Sequence, residues 1–241
     1  MRIDFATPGF AAAVALATAL SAVGSPADAT PSHVEAEYRI MSGGMIVGRV
    51  KEIYVREGGT YRIESVTSSE GPLKLFLDDT VTLRSEGRVG PAGLVPLRFQ
   101  QRQARDASRD IHATFDWAGA RLRSEYRGEE RSEPLPPGTQ DRLSIMYQFM
   151  NVSSRPNEVR VAMSNGRKVE LYNYRKTDEP QLMTPAGEFA TVHFERVLDG
   201  PGGGRAQLWL AKDRFHLPVR VVFMDARGLK LDQQLMSLVT R

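Results

Sequence analysis

Apolar and polar residues alternate at every second position through most of this chain, and no other feature constrains its fold as strongly. The segment His33–Met41 is the first of many with this period. Because successive side chains of a β-strand point to opposite faces, the pattern predicts strands with one buried face. Turns containing Gly or Pro separate these strands, and Asn165-Gly166 is the strongest hairpin signal among them. The sequence therefore predicts an antiparallel sheet of about a dozen strands.

One segment departs from this period and predicts an amphipathic helix. Apolar residues at i, i+3, i+4 and i+7 share one of its faces; they are Leu143, Met146, Tyr147 and Met150. Thr139 is the expected N-cap, and Asp141 places negative charge in the first turn, where the helix dipole favours it. Leu73, Phe76 and Leu77 predict only a short helical turn.

These elements together predict a mainly β fold. A sheet of about a dozen strands usually curls or closes. We therefore expect one large curved antiparallel sheet, a half-open β-barrel, covered on its concave side by the single amphipathic helix. No internal repeat of fixed period is visible.

The first 29 residues resemble a cleaved signal peptide. Arg2 precedes an apolar run from Phe10 to Val23, and Ala27-Asp28-Ala29 has the small-x-small form of a signal-peptidase site. A membrane anchor is the alternative, but the apolar run is shorter than the roughly 20 residues that span a bilayer. We expect cleavage after Ala29, a single β-rich domain over residues 30–241 and a periplasmic location. A linker at Arg127–Pro137 is the alternative to a single domain.

Cysteine is absent from the sequence. This absence excludes disulfides, thiolate metal sites, a cysteine nucleophile and lipid attachment through an N-terminal cysteine. The formal net charge is +3, and the basic residues are interspersed along strands, a pattern that does not indicate nucleic-acid binding. The densest basic run, Arg98–Arg109, is either a solvated strand end or a surface for a polyanion.

No recognised catalytic or metal-binding pattern occurs. The four histidines His33, His112, His193 and His216 lack metal-ligand spacing, and we expect His112 and His193 to face solvent. Acidic pairs such as Asp78-Asp79 lie on adjacent positions, which point to opposite sides of a strand. The sequence thus predicts no catalytic residue, no metal and no cofactor.

The apolar face of the helix is the candidate binding surface. Core packing explains an apolar helix face well, but a helix packed loosely in a curved sheet also leaves a cavity. Methionine side chains adapt to irregular ligands. We therefore predict that Leu143, Met146, Tyr147 and Met150 line a site for a hydrophobic ligand.

Five phrases in fixed order carry a family resemblance. They are Gly90–Phe99, Gln140–Gln148, Thr184–Phe189, Trp209–Asp213 and Leu217–Arg220. Over His33–Leu238 the chain resembles the domain of unknown function 3108 family of exported Gram-negative bacterial proteins. The resemblance implies a periplasmic address and a curved antiparallel sheet akin to the half-barrels of lipoprotein-localisation carriers. The family has no established activity, so the resemblance implies no catalytic residues.

Three functions remain as hypotheses. The first is a non-enzymatic protein that holds an acyl chain or lipidated segment between sheet and helix. The second is an envelope component that docks a partner protein or an anionic glycan through strand edges or the Arg98–Arg109 surface. The third is an enzyme that acts on glycans with two carboxylates brought together by the fold.

Overall fold

The computed structural model describes residues 30–71, 74, 79–151, 157–198 and 204–241. The predicted signal peptide, residues 1–29, lies outside the described residues, as does the predicted helical turn at Leu73, Phe76 and Leu77. Within the described ranges, no helix has the length and apolar character needed to cross a bilayer.

Sixteen strands and one short α-helix make up the described fold. The first eight strands are β1 (His33–Ser42), β2 (Met45–Glu57), β3 (Thr60–Ser69), β4 (Thr80–Gly90), β5 (Gly93–Gln103), β6 (Ile111–Asp116), β7 (Arg121–Tyr126) and β8 (Glu129–Pro134). The helix α1 (Ser144–Gln148) follows β9 (Gln140–Asp141). The remaining strands are β10 (Glu158–Ser164), β11 (Val169–Asp178), β12 (Gln181–Thr184), β13 (Gly187–Val197), β14 (Arg205–Ala211), β15 (Pro218–Met224) and β16 (Lys230–Thr240). Two 3-10 turns, Ala107–Arg109 and Phe149–Asn151, complete it.

The strands form one continuous sheet that is not closed. Its order is β8-β7-β6-β5-β4-β3-β2-β1-β16-β15-β14-β13-β11-β10-β9, with β12 paired to β13 off this path. Neighbouring strands are antiparallel except β9 and β10, which are parallel. The predicted mainly β, curved and antiparallel fold with one helix is confirmed.

The strands that sequence patterning missed are β8, β9 and β12. In β8 the sequence is Glu-Glu-Arg-Ser-Glu-Pro, which has no apolar alternation, because almost all of this edge strand is exposed. The other two are short, with two residues in β9 and four in β12. A period of two cannot be recognised over so few positions.

The inner face of the sheet forms the core. Along β1, Val34, Ala36 and Tyr38 are buried, which is the alternation predicted from the sequence. The same face continues on β16, where Leu235 is fully buried. Alternation thus places the apolar residues of successive strands on one concave surface.

Curling of the sheet brings its two ends together through side chains. The turn between β10 and β11 lies against the inner face of β5 and β6, and Gly166 is close to Phe99 and Ile111. Beside it, the Arg167 guanidinium lies 4.0 Å from the ring centroid of Tyr126 on β7. The ends of the sheet therefore overlap, and the described strands β8 and β9 are not hydrogen-bonded to each other.

The helix is shorter than the sequence predicted, and its cap is a different residue. Gln140 and Asp141 pair with Met163 and Ser164 of β10, which keeps them extended. The helix consequently begins at Ser144, and the predicted N-cap at Thr139 is wrong. The Thr139 hydroxyl instead donates to the Pro136 carbonyl at 2.7 Å.

Candidate functional site

Asp141 fixes the start of α1. Its Oδ1 accepts the backbone N–H groups of Leu143 and Ser144, both at 2.9 Å. In return, the Ser144 hydroxyl accepts the Asp141 N–H at 2.8 Å, so the two residues form a reciprocal capping arrangement. The other carboxylate oxygen, Oδ2, accepts from Ser85 on β4 at 2.5 Å. These bonds hold the helix at a fixed position against the sheet.

Two glutamines attach the helix to the turn between β4 and β5. Gln148 accepts the Leu94 N–H and donates to the Ala92 carbonyl, both at 2.7 Å. Gln140 donates to the Leu94 carbonyl at 2.9 Å. Gly93 has a φ of +104°, and an added Cβ would lie 2.4 Å from Gln148. The phrases Gly90–Phe99 and Gln140–Gln148 are therefore in direct contact.

A cavity of about 410 Å³ lies on the inner face of the sheet, next to the helix. Its walls come from β1–β4, β10, β11, β13–β16 and the residues at the start of α1. Most of the lining side chains are apolar or aromatic; they include Tyr38, Ile40, Val50, Leu83, Met163, Tyr172, Tyr174, Leu208, Val221 and Phe223. A volume of this size falls within the range of about 300–1,000 Å³ typical of small-molecule sites.

The structure separates the four predicted site residues into two groups. Leu143 and Met146 line the cavity. Tyr147 is only 2% exposed and stacks on Tyr54, with ring centroids 5.1 Å apart, while Met150 packs against the same apolar core. Ligand contact by all four residues stays a prediction.

A buried carboxyl group, Glu52 of β2, also lines the cavity. Its oxygens accept hydrogen bonds from Tyr147 at 3.1 Å and Ser65 at 3.2 Å. Burial raises the pKa of Glu52, and the two hydrogen bonds offset this only in part. Glu52 therefore places a polar group among the apolar side chains that line the cavity.

Two arginines on the cavity wall were not singled out from the sequence. Arg142 precedes α1, and Arg196 lies on β13. The signal for Arg196 was present in the alternation, since Val192 and Phe194 are buried apolar residues of the same strand face. Arg142 gave no such signal, because its position depends on the unpredicted strand β9.

The expectation that His193 faces solvent is wrong. It is 7% exposed, because Trp209 on the neighbouring strand covers it with ring centroids 4.1 Å apart. Its Nδ1 lies 2.8 Å from both Thr177 and Asp178. His112 is exposed as expected. In the described part of the chain, no three metal-ligating side chains of the His, Cys, Asp or Glu type cluster.

The two buried carboxyl groups do not form a pair across the cavity. Glu52 lines it, whereas the carboxylate of Asp141 is hydrogen-bonded to the start of the helix and to Ser85. Glycosidase chemistry requires two carboxyl groups that flank one substrate bond. This arrangement gives no support to the hypothesis of a carboxylate-based glycan enzyme.

The basic run Arg98–Arg109 lies on the outside of the molecule. Its arginines at 98, 102, 105 and 109 are exposed, and Asp106 caps the 3-10 turn among them by accepting the Ser108 N–H at 3.1 Å. A separate hollow of about 770 Å³ beside β6–β8 is lined largely by polar and charged side chains, including Arg121, Arg123 and Glu130. Neither surface has the apolar character of the inner cavity.

Solved structures similar to this chain include proteins from Brucella abortus, Bacteroides fragilis and Parabacteroides distasonis. A β-barrel-like protein of domain of unknown function DUF1849 from Brucella abortus is 11% identical, with a TM-score of 0.56, and the match covers 88% of this chain and 98% of that one. This likeness shows a shared fold.

The other two structures are less similar. A protein with a YmcC-like fold from Bacteroides fragilis, predicted to be exported, is 11% identical with a TM-score of 0.39, over 87% of this chain and 96% of that one. A predicted lipoprotein from Parabacteroides distasonis is 12% identical with a TM-score of 0.35, over the same shares of the two chains.

No curated protein matches this chain in sequence. A family model does match it, over residues 36–234, which is most of the chain and nearly all of the sheet. The chain therefore belongs to the family described as protein of unknown function, DUF3108.

Proposed function

We propose that this protein is a non-enzymatic, periplasmic binding protein that holds a hydrophobic or lipid-like ligand inside its curved sheet. The observation that carries the proposal is the cavity of about 410 Å³, whose walls are mainly apolar and aromatic and which Leu143 and Met146 line. Burial of apolar surface between ligand and protein stabilises the complex by roughly 25 cal/mol per Å² removed from water. An acyl chain or the lipid of a lipidated segment fits this lining.

Filling the cavity tests this proposal directly. Val221 lines the cavity, so Val221→Phe should weaken binding of a fluorescent fatty acid by about tenfold or more, equivalent to about 1.4 kcal/mol. Val239 is 44% exposed elsewhere in the sheet, so Val239→Phe is the matched control and should leave the dissociation constant unchanged. Equal binding by both variants and the wild type would place the ligand outside this cavity.

Native mass spectrometry of protein purified from its own periplasm tests whether the cavity is filled in the cell. We expect a bound species that dissociates as a lipid or fatty acid on activation. A spectrum of the bare chain, together with no binding of fluorescent fatty acids, would contradict the proposal.

Docking of a partner protein or anionic glycan is the second candidate function. Exposure of the arginines between residues 98 and 109 supports it, whereas the edge strand β8 is rich in charged residues, which discourage pairing with another strand. A photo-crosslinker placed at Arg98 in living cells should trap one dominant partner. The same crosslinker at Arg123, exposed on β7, is the control, and equal patterns from both sites would exclude a specific docking surface.

A further inference from the structure

Arg196 is a charged residue that follows two buried apolar residues on one face of β13. Val192 and Phe194, four and two residues earlier on β13, are 2% and 3% exposed on the inner face. Alternation places Arg196 on that same face, where it lines the cavity. A charge at such a position is costly unless something compensates for it, so its partners decide what it does.

The partners of Arg196 leave it incompletely bonded. Its guanidinium lies 4.1 Å from the ring centroid of Tyr172, and Nη1 donates to the Gly204 carbonyl at 3.2 Å. Among the described residues, its buried Nε has no acceptor. Glu170, whose charge interacts with Arg196, is already hydrogen-bonded to Lys168 at 2.7 Å and to Tyr172 at 2.8 Å.

Arg142 supplies a second cation to the same cavity wall. Its side chain is exposed, and Nη1 donates to the neutral Gln101 side chain at 3.2 Å. Tyr172, which stacks with Arg196, also interacts electrostatically with Arg142. The two guanidinium groups therefore share a neighbour, and the hydrogen bonds to Gln101 and Gly204 both go to neutral oxygens.

From this arrangement we infer that the ligand is an anionic amphiphile with a single acyl chain. Arg142 and Arg196 bind its carboxylate or phosphate, since a guanidinium presents paired donors that match either group. The chain lies against Leu143, Met146 and Val221, and the cavity volume of about 410 Å³ suits one chain. This inference rests on the proposed lipid-binding function and adds the chemistry of the head group.

The orientation of the ligand follows from the third ionisable group of the cavity. Glu52 lines the same space, and its oxygens are bonded to the hydroxyls of Ser65 and Tyr147. Arg142 and Arg196 offer paired N–H donors, whereas the oxygens of Glu52 accept from two hydroxyl groups, so the head group binds at the arginines while the acyl chain occupies the apolar remainder.

A pair of probes that differ only in charge tests the inference. The full mature protein is titrated with cis-parinaric acid and with its uncharged methyl ester, and binding is followed by fluorescence. We expect the wild type to bind the acid about tenfold more tightly than the ester. Arg142→Gln and Arg196→Gln should each weaken acid binding about tenfold and leave ester binding unchanged, so the ester also reports that the variants are folded.

Arg123→Gln is the control, because Arg123 is an exposed arginine of β7 that does not line the cavity. It should change neither affinity. If the wild type and both cavity variants bind acid and ester equally, the head-group assignment is overturned while lipid binding stands. If neither probe binds the wild type, the proposed function fails and the inference fails with it.

Competition separates the two sources of negative charge. Palmitate and palmitoyl-lysophosphatidate are each used to displace cis-parinaric acid from the wild type, with the neutral monopalmitoylglycerol as reference. Stronger displacement by palmitate assigns the site to a carboxylate, and stronger displacement by the lysolipid assigns it to a phosphate. Equal displacement by all three would overturn the role of the arginines.

Discussion

Glu52 shows how the surroundings of a single residue shift its pKa in this fold. It is 9% exposed on the inner face of β2, where its two hydrogen-bond donors are the hydroxyls of Tyr147 and Ser65. Tyr38 and Tyr147 both interact with its charge, and Arg142 and Arg196 line the same cavity. Burial raises the pKa of Glu52 because the ionised form loses hydration that two hydroxyl groups do not replace.

This raised pKa predicts a specific dependence of stability on pH. The folded protein keeps the Glu52 proton at pH values where the unfolded chain, with an ordinary pKa of 4.5, has lost it. Because the folded state then binds more protons, the Glu52 contribution to the free energy of unfolding falls as pH rises from 4.5 through the folded-state pKa. Glu52→Gln stays neutral, so its Tm should exceed that of the wild type at neutral pH and converge with it near pH 4.

Thermal unfolding of both proteins across this pH range measures the effect. Glu130→Gln, at an exposed position of β8, is the control and should follow the wild type at every pH. A Tm difference between Glu52→Gln and the wild type that does not change with pH would contradict the assignment of the raised pKa.

Among the structural elements, the β10–β11 hairpin determines how the ends of the sheet overlap. Its turn reaches the inner face of β5 and β6, and Arg167 stacks on Tyr126 of β7. Gly166 is required there for two reasons: its φ is +86°, and an added Cβ would lie 2.8 Å from Phe99 and Ile111. The overlap therefore depends on close contact of the Phe99 and Ile111 side chains with the backbone of Gly166.

Gly166→Ala should destabilise the protein by about 2–4 kcal/mol, since backbone strain and overpacking both contribute. Gly128→Ala is the matched control, because Gly128 has a similar φ of +73° but nothing within 4 Å of an added Cβ. It should cost only the strain, about 1 kcal/mol. Chemical denaturation measures both values, and equal losses would show that the hairpin does not press on β5 and β6.

Sequence patterning predicted these elements only where they followed one rule of spacing. The alternating strands and the curved sheet were predicted, because a half-buried strand has a period of two. The helix was overextended, because Thr139 and Asp141 are residue types typical of a helix start, although pairing with β10 holds Gln140 and Asp141 extended. Local periodicity carries no information about such a long-range pair.

Local periodicity likewise predicted only some of the residues that line the candidate site. Leu143 and Met146 were identified by their helical spacing, and both line the cavity. Arg196 was not, because an arginine on a strand is ordinarily interpreted as solvent-facing, and Arg142 was not, because its position depends on the unpredicted strand β9. His193 was misplaced because the ring that covers it, Trp209, belongs to another strand. Contacts between strands therefore bury His193 and set the position of Arg142.

For the molecule as a whole, the pairing of the first and last strands is central. β1 and β16 are neighbours near the middle of the sheet, with Val34 opposite Thr240. The N–H groups of Ser32 and His33 donate to the Arg241 carbonyl at 2.8 and 3.0 Å. The sheet consequently becomes continuous only when the C-terminal strand has joined the N-terminal one, a contact of high sequence separation that is expected to form slowly.

This pairing begins three residues beyond the proposed signal-peptidase site. We expect protein recovered from the periplasm to begin at Thr30, because cleavage after Ala29 leaves β1 intact. Intact-mass measurement and N-terminal sequencing check this expectation. Ala27→Tyr and Ala29→Tyr should leave the precursor unprocessed, whereas Ala13→Tyr, within the apolar run, is the control. Recovery of a soluble chain that still carries residues 1–29 would contradict the proposed export route.

The overlap of unpaired sheet ends has a consequence for how the interior can change during evolution. In a closed barrel the number of strands and their stagger set the diameter, so enlarging the lumen requires a new ladder all the way round. Here β8 and β9 are not hydrogen-bonded to each other within the described chain, and β9 is joined to β5 and β4 only through the side chains of Gln140 and Asp141. Residues can therefore be added to or removed from either free end, which changes the width of the interior while the central strands stay in register.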